Sequence, residues 1–224
     1  MTPTQHKTDH QIKEAITAEL AWMPSIKADR IGVSINDGAV MLSGQVETYP
    51  EKEAAVRAAL RVRGVIAVAN EIEVKHSWGP REDADIAREA TVALEHTVLV
   101  PADAAKASVQ DHVVTLSGQV AWQYQRDAIR HAVSALPGVT GVRNTITLTP
   151  EVAMVSPAEA KTKITAALVR NAQLDAKHIH VAVTGSDVKL TGSVSSWAEH
   201  RQAANAAWAT PGVTHVANGL RVHY

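Results

Sequence analysis

The feature that most constrains the fold is a sequence unit that recurs three times at one spacing. The segment Leu-Ser-Gly-Gln-Val at 42–46 returns at 116–120, and as Leu-Thr-Gly-Ser-Val at 190–194, in steps of 74 residues. A second motif, Gly-Val-x-x-Val-x-Asn, has the same spacing and begins at Gly64, Gly138 and Gly212. Twelve positions are identical in all three copies, with no insertion between copies. A fixed period of this kind indicates repeated structural units, so we predict three small domains.

The hydrophobic pattern in each copy first predicts a helix and then a strand. Apolar residues four apart, such as Ile12, Ile16 and Leu20, are typical of one face of an amphipathic helix. Alternating apolar residues follow from Ile31 onward and predict a strand with one buried face. The pair Asp37-Gly38 then favours a tight hairpin turn.

The rest of each copy predicts a second strand, an alanine-rich helix and a third strand. We predict the second helix over residues 51–62, 125–136 and 199–210, and the third strand from 65 to 74 and at its equivalents. Because a connection between parallel strands is right-handed, both helices are expected on one face of a three-stranded mixed sheet. The fold class is therefore α+β, with three tandem αββαβ domains over residues 9–75, 84–149 and 157–222.

Recurrent glycine and asparagine residues are interpreted as fold-defining. In the second strand, Gly44, Gly118 and Gly192 are expected to leave room for a helix crossing the sheet. After the second helix, Gly64, Gly138 and Gly212 are expected to help end it. The third-strand residues Asn70, Asn144 and Asn218 are expected at a local turn or bulge.

These motifs together resemble the BON domain, named for bacterial osmotically induced Y proteins and nodulation proteins. The resemblance covers nearly the whole chain, which is similar to tandem BON proteins of the osmotically inducible Y type. It implies a binding and stress-response role, because members are associated with anionic phospholipid membranes and with envelope integrity under osmotic shock. A cytoplasmic relative that joins one BON domain to a LysM domain implies potassium binding as an alternative.

Composition and motifs exclude several chemistries. The chain has no cysteine, so disulfides, thiolate zinc sites and a cysteine nucleophile are excluded. Its 22 Lys and Arg are balanced by 23 Asp and Glu, which leaves no global basic field for nucleic acid. We find no Gly-x-Ser-x-Gly, phosphate-binding loop or His-Glu-x-x-His pattern, so we expect a protein that is not an enzyme, without catalytic, cofactor or metal residues. A potassium site made of backbone carbonyls stays open.

The N-terminal sequence and the length of the apolar stretches bear on the cellular compartment. The N-terminal residues are polar, without the apolar core of an export signal, and no stretch approaches the length of a spanning helix. The chain is therefore expected to be cytoplasmic if complete, and periplasmic if a signal has been removed.

Two sets of residues differ among the copies and are the candidates for lipid or partner binding. Aromatic residues lie where the second strand meets the second helix: Tyr49, Trp122 and Trp197. Such side chains can insert at the level of the lipid headgroups or contact a partner. The alternative is that they cover the core of their own domain. Trp22 and Trp208, within helical patterns, are expected in the core or at a repeat interface.

Charge singles out the third copy. The copies carry net charges of −2, −1 and +3 in chain order, with histidine counted as neutral. Six basic residues of the third copy are singled out: Lys161, Lys163, Arg170, Lys177, Lys189 and Arg201. They are candidates for contact with anionic headgroups, and a solvated surface is the alternative.

Three functional hypotheses follow. The first is a stress-response protein associated with anionic phospholipid or the cell envelope. The second is a potassium-responsive module, and the third is a chaperone-like scaffold that recruits partners at open sheet faces or edges. The copies are also expected to pack on one another through those open faces, because a unit of about 66 residues is marginally stable alone.

Overall fold

A computed structural model describes residues 8–75, 81–149, 156–171 and 176–223. The first repeat contains α1 (Asp9–Trp22), β1 (Ile31–Asn36), β2 (Ala39–Val46), α2 (Tyr49–Ala59) and β3 (Ala67–Val74). The second contains α3 (Asp83–Glu95), β4 (Ala105–Gln110), β5 (Val113–Val120), α4 (Gln123–Ser134), β6 (Gly141–Asn144) and β7 (Thr147–Leu148). The third contains α5 (Pro157–Arg170), β8 (Ile179–Thr184), β9 (Asp187–Val194), α6 (Trp197–Trp208) and β10 (His215–Val222). Single 3₁₀ turns, Ala28–Arg30 and Ala176–His178, lead into β1 and β8.

Each repeat forms the mixed sheet that the sequence predicts. In the first repeat β2 is central, antiparallel to β1 and parallel to β3, and β9 has the same position in the third. In the second repeat β6 and β7 pair with β5 in one register, on either side of an interruption at 145–146. There the Thr145 N–H and hydroxyl both donate to the Leu116 carbonyl, at 2.8 and 2.6 Å. The predicted α+β class is confirmed.

The two helices of a repeat cover the same sheet face. In the first repeat α1 contacts α2, and both pack on the sheet. The core between them is apolar and fully buried, with Ile16, Leu20, Leu42 and Ile72 at most 1% exposed. The third repeat buries its equivalents in the same way. The other sheet face stays open to solvent in each repeat, as the alternating burial of the strands shows.

The predicted second helix was misplaced by about two residues. It begins at Tyr49 and Trp197 because Thr48 and Ser196 cap it. Their side-chain oxygens accept the N–H groups of Glu51 and Glu199 at 3.3 and 3.1 Å. These caps satisfy helix donors that would otherwise lack partners.

The expected reason for the second-strand glycines was wrong. A Cβ at Gly44 would overlap the carbonyl oxygen of Arg30, in the turn before β1, and not an atom of the second helix. Its φ of +125° also lies in a region that L side chains rarely adopt. Gly118 and Gly192 repeat both features against Ala104 and His178. The glycine therefore lets the entry to the first strand approach the second strand closely.

The recurrent asparagines close a short backbone loop within the third strand. The Oδ1 atoms of Asn70, Asn144 and Asn218 each accept the N–H group two residues later, at 3.0 to 3.3 Å. In the second and third repeats the Nδ2 group also donates to a carbonyl of the second helix, at Arg126 and His200. The glycines at 64, 138 and 212 all have positive φ in the turn before this strand.

The described chain divides into two compact units, one within 1–118 and 126–146 and the other within 119–125 and 147–224. In the first unit the first two repeats contact each other through their second helices. Arg130 of α4 donates to Glu53 of α2 at 2.6 Å. The open sheet face of the first repeat remains exposed, as at Ala69 and Glu71. The expectation that repeats pack through open sheet faces is therefore wrong for this pair.

Candidate functional site

The three predicted aromatic residues do not occupy equivalent positions. Tyr49 and Trp197 are the first residues of α2 and α6, whereas Trp122 stands at the position that the caps Thr48 and Ser196 hold in the other repeats. Trp122 lacks a side-chain oxygen to act as a cap. Instead, Oε1 of the buried Gln125 accepts the N–H groups of Ala121 and Trp122 at 3.1 and 3.0 Å.

Tyr49 lies at the contact between the first two repeats. Its hydroxyl donates to Glu53 at 3.3 Å, and the backbone of Val142 hydrogen-bonds the same phenol group. Burial, reinforced by the adjacent Glu53 carboxylate, raises the pKa of Tyr49. Because the ring is half-buried among these groups, Tyr49 packs against other residues of the same chain.

The two tryptophans are also half-buried, each beside another ring. Trp122 stacks on Tyr124 with centroids 6.3 Å apart, and the Tyr124 side chain is 51% exposed. The ring of Trp197 lies 5.0 Å from that of His200. These pairs present part of each ring to solvent.

His200 joins Trp197 to the third strand of its repeat. Its Nδ1 lies 3.2 Å from Nδ2 of Asn218, and its carbonyl accepts from the same Nδ2 group at 2.8 Å. Burial lowers the pKa of His200. The folded repeat therefore favours the neutral ring, in which Nδ1 can accept a hydrogen bond from Nδ2 of Asn218.

We expect the third repeat to lose stability in acid because of His200. Since its pKa is lower in the folded chain than in the unfolded chain, stability is highest above about pH 6.5 and falls as the pH drops below that value. Urea unfolding followed by Trp fluorescence at pH 7.5 and 5.5 measures this fall. The His200→Gln variant should show a smaller fall, and the exposed-residue control His131→Gln should match the wild type. An equal pH dependence in all three proteins would contradict the assignment.

The predicted basic residues of the third repeat lie on two different sides of it. Lys161, Lys163 and Arg170 are exposed on α5, and Arg201 is exposed on α6, in the layer of helices. Lys177 lies in the 3₁₀ turn. Lys189 is exposed on β9, on the sheet face opposite the helices. The structure does not bring the six into one patch.

These cations differ from those of the first repeat in their ion pairing. In the first repeat five basic residues have acidic partners: Lys27 and Arg30 with Glu47, Arg57 with Glu53, Arg61 with Glu19, and Lys75 with Glu73. Hydrogen bonds from Lys27 and Arg30 lower the pKa of Glu47. In the third repeat Lys163 pairs with Glu159 at 2.7 Å. Within the described residues, Lys161, Arg170, Lys189, Arg201 and Arg221 make no ion pair.

Large apolar side chains are exposed near the ends of α1 and α3, which the sequence pattern did not predict. Trp22 is 82% exposed, so its expected place in the core or at an interface was wrong. It follows the buried Leu20 by two positions, which turns it to the opposite side of α1. In the second repeat Val98 and Leu99 are 77% and 71% exposed. Trp208, by contrast, packs against the core of the third repeat.

A shallow apolar groove lies beside the exposed residues of the second repeat. Its volume is about 480 Å³, and its lining residues are Arg88, Glu89, Val92, Ala93, His96 and Leu136. The groove therefore runs along the solvent side of α3 to the end of the second helix.

A buried carboxylate in the first repeat was also missed as a key residue. Glu51 is 7% exposed, and its two oxygens accept the N–H groups of Lys27 and Glu47 at 2.8 and 3.1 Å. The signal was present in the sequence as the spacing Thr48-x-x-Glu51, which matches the sequence pattern of a capping box. Its role is to fix the loop before α2 and the turn before β1.

The fold and these surfaces define a tandem-repeat protein made of small αββαβ modules, each with one open sheet face. The family model described as the BON domain matches residues 8–76, 82–150 and 156–224. The chain therefore belongs to the BON domain family.

One curated relative is the osmotically-inducible protein Y of Escherichia coli (strain K12). It is 32% identical over 141 residues, which cover 61% of this chain and 70% of the relative. Among solved structures, the C-terminal domain of CdsD, the structural protein of the type III secretion system of Chlamydia trachomatis, aligns over 94% of this chain and 96% of its own. The identity is 13% and the TM-score 0.27. The PrgH periplasmic domain aligns with 12% identity over 87% and 96%, with a TM-score of 0.23. TM-scores this low do not show that these proteins share an overall arrangement of elements with this chain.

Among the residues that the structure describes, no helix is both long enough and apolar enough to cross a membrane.

Proposed function

We propose that this protein is a non-enzymatic stress-response protein that binds anionic phospholipid surfaces through its third repeat. The observation that carries the proposal is the set of exposed basic side chains in that repeat that lack acidic partners within the described residues. The name of the osmotically-inducible relative supports the link to osmotic stress.

The expected size of the electrostatic effect supports lipid binding by the third repeat. Each Lys or Arg near an anionic membrane contributes about 1 kcal/mol. Four or five unpaired cations on one domain therefore suffice for measurable binding without any inserted helix. The first repeat has a net charge of −2, and five of its eight basic residues are paired with carboxylates, so we expect it to contribute less.

Flotation of the full chain with vesicles tests the proposal. We expect the protein to float with vesicles of 30% phosphatidylglycerol, to remain at the bottom with pure phosphatidylcholine, and to detach as salt rises from 0.05 to 0.5 M, because salt screens these charges. Equal recovery with both vesicle types, or recovery that salt does not change, would contradict the proposal.

A second candidate function is chaperone-like protein interaction, which the apolar groove of the second repeat favours. Its exposed apolar lining suits apolar side chains of a partially unfolded client. If this function holds, Val92→Ser should reduce the ability of the protein to prevent aggregation of a heat-denatured client, and Val169→Ser, at an even more exposed position on α5, should not. The potassium-responsive module stays a hypothesis based on family resemblance.

A further inference from the structure

The open sheet face of the third repeat differs from the other two in combining basic residues with histidines. The exposed strand positions place Lys189 at the centre of this face, on β9, and Arg221 on β10. Three histidines lie on the same face: His180 on β8, His215 on β10 and His223 directly after it. The single acidic residue among these positions is Asp187, opposite His215 in the parallel pair.

The remaining positions of this face are small. Ala182 and Ala217 flank Lys189 in the strand register, and Thr191 and Gly219 form the next row beside His180. Long basic side chains therefore stand above a flat surface. A flat basic surface matches a flat anionic partner better than it matches a small ligand that needs a concave site.

The equivalent faces lack the histidines. On the first repeat the strands present Glu71 and Glu73, and on the second they present Lys106 and Arg143. Neither face carries a histidine among the described strand residues. Among the described strand residues, the histidines are therefore confined to the third face.

We propose that this face is the surface that contacts anionic phospholipid, and that its three histidines make the contact strengthen as the pH falls. This inference rests on the proposed lipid-binding function and assigns that function to one face. Histidine is the side chain whose charge changes between pH 5 and 8. Protonation of all three raises the net charge of the face from +1 to +4, counted over Lys189, Arg221, Asp187 and the histidines.

The charged groups that share the face with the histidines are Asp187, Lys189 and Arg221. Asp187 lies opposite His215, and the two cations add to the positive charge of the face. No element of the described chain covers the face, since these strand positions are exposed. A phospholipid bilayer is favoured over nucleic acid because the face has no aromatic residue on which bases stack.

Vesicle binding of the full chain at pH 7.5 and 5.5 tests the inference, with circular dichroism at each pH to verify that the protein remains folded. For the wild type we expect the partition coefficient onto 30% phosphatidylglycerol vesicles to rise at least about tenfold from pH 7.5 to 5.5. The variant His180→Gln/His215→Gln/His223→Gln should bind like the wild type at pH 7.5 and lose most of that rise. The control His10→Gln/His96→Gln/His131→Gln removes the same number of exposed histidines from the other repeats and should keep it.

A second pair of variants locates the surface at fixed pH. Lys189→Gln/Arg221→Gln should lower the partition coefficient about tenfold or more at pH 5.5, whereas Lys13→Gln/Lys52→Gln, in the first repeat, should not. If anionic vesicles bind equally at both pH values, or if the two histidine variants behave alike, the inference fails while the lipid-binding function stands. Absence of binding at both pH values overturns the function and the inference together. Binding of single-stranded DNA as tight as vesicle binding, and lost in the Lys189/Arg221 variant, overturns the choice of partner.

Discussion

Replacing Gly44 by alanine is expected to unfold most of the first repeat at 25 °C. The new Cβ would meet the Arg30 carbonyl at a φ of +125°, so both the backbone conformation and the close approach of the turn before β1 would have to change. Losses of this kind exceed about 4 kcal/mol. A domain of this size has a total stability on the order of 3–10 kcal/mol. Hydrogen exchange of the full chain, read by mass spectrometry, should show lost protection in β1 and β2.

Gly32→Ala is the matched control for this substitution. Gly32 lies in the same sheet, on the open face, and an added Cβ would meet the flexible Ser43 hydroxyl at 3.1 Å rather than a backbone carbonyl. We expect a change within about 0.5 kcal/mol. Equal protection in the Gly44→Ala variant and the wild type would show that the close approach of the turn before β1 to β2 does not require a glycine at position 44.

Substitutions of Glu51 are expected to have graded effects. Glu51→Ala leaves the Lys27 and Glu47 N–H groups without their acceptors in a buried site, at a cost of about 2–4 kcal/mol. Glu51→Gln keeps one acceptor oxygen and should lose about half as much. Gln125 serves in the second repeat because Pro101, at the position of Lys27, has no N–H group to satisfy.

Urea unfolding of the full chain measures these differences. Glu71→Ala, on the exposed sheet face of the same repeat, is the control and should change stability by less than about 0.5 kcal/mol. If Glu51→Ala and Glu51→Gln are equally stable, the two-oxygen role of Glu51 is wrong.

The scaffold was largely predictable from the sequence because its determinants are local and periodic. The helix face of Ile12, Ile16 and Leu20 and the alternation from Ile31 predicted the order of elements and the buried side. The reason for Gly44 was not predictable, because a close approach between residues 14 apart in sequence depends on the path of the turn before β1. The start of α2 was recoverable from the capping spacing Thr48-x-x-Glu51.

The candidate binding surfaces were less predictable, because solvent-facing residues carry no periodic signal of their partners. Tyr49 and Trp122 are close in register, but Tyr49 meets the neighbouring repeat at Val142, whereas Trp122 takes the place of a helix cap. The basic character of the third repeat was evident from composition, whereas its division between the helical layer and the sheet face of Lys189 required the strand register. That His180 and His215 share this face could be recognised only from the strand register.

The claim that the third repeat faces the membrane is tested most directly by lysine acetylation of the full chain, with and without vesicles of 30% phosphatidylglycerol, read by mass spectrometry. We predict that the vesicles protect Lys189 most, with weaker or no protection of Lys161 on the helical side, and leave Lys13 and Lys52 of the first repeat as reactive as in the free protein. Equal protection of all these lysines, or protection confined to the first repeat, would contradict the account.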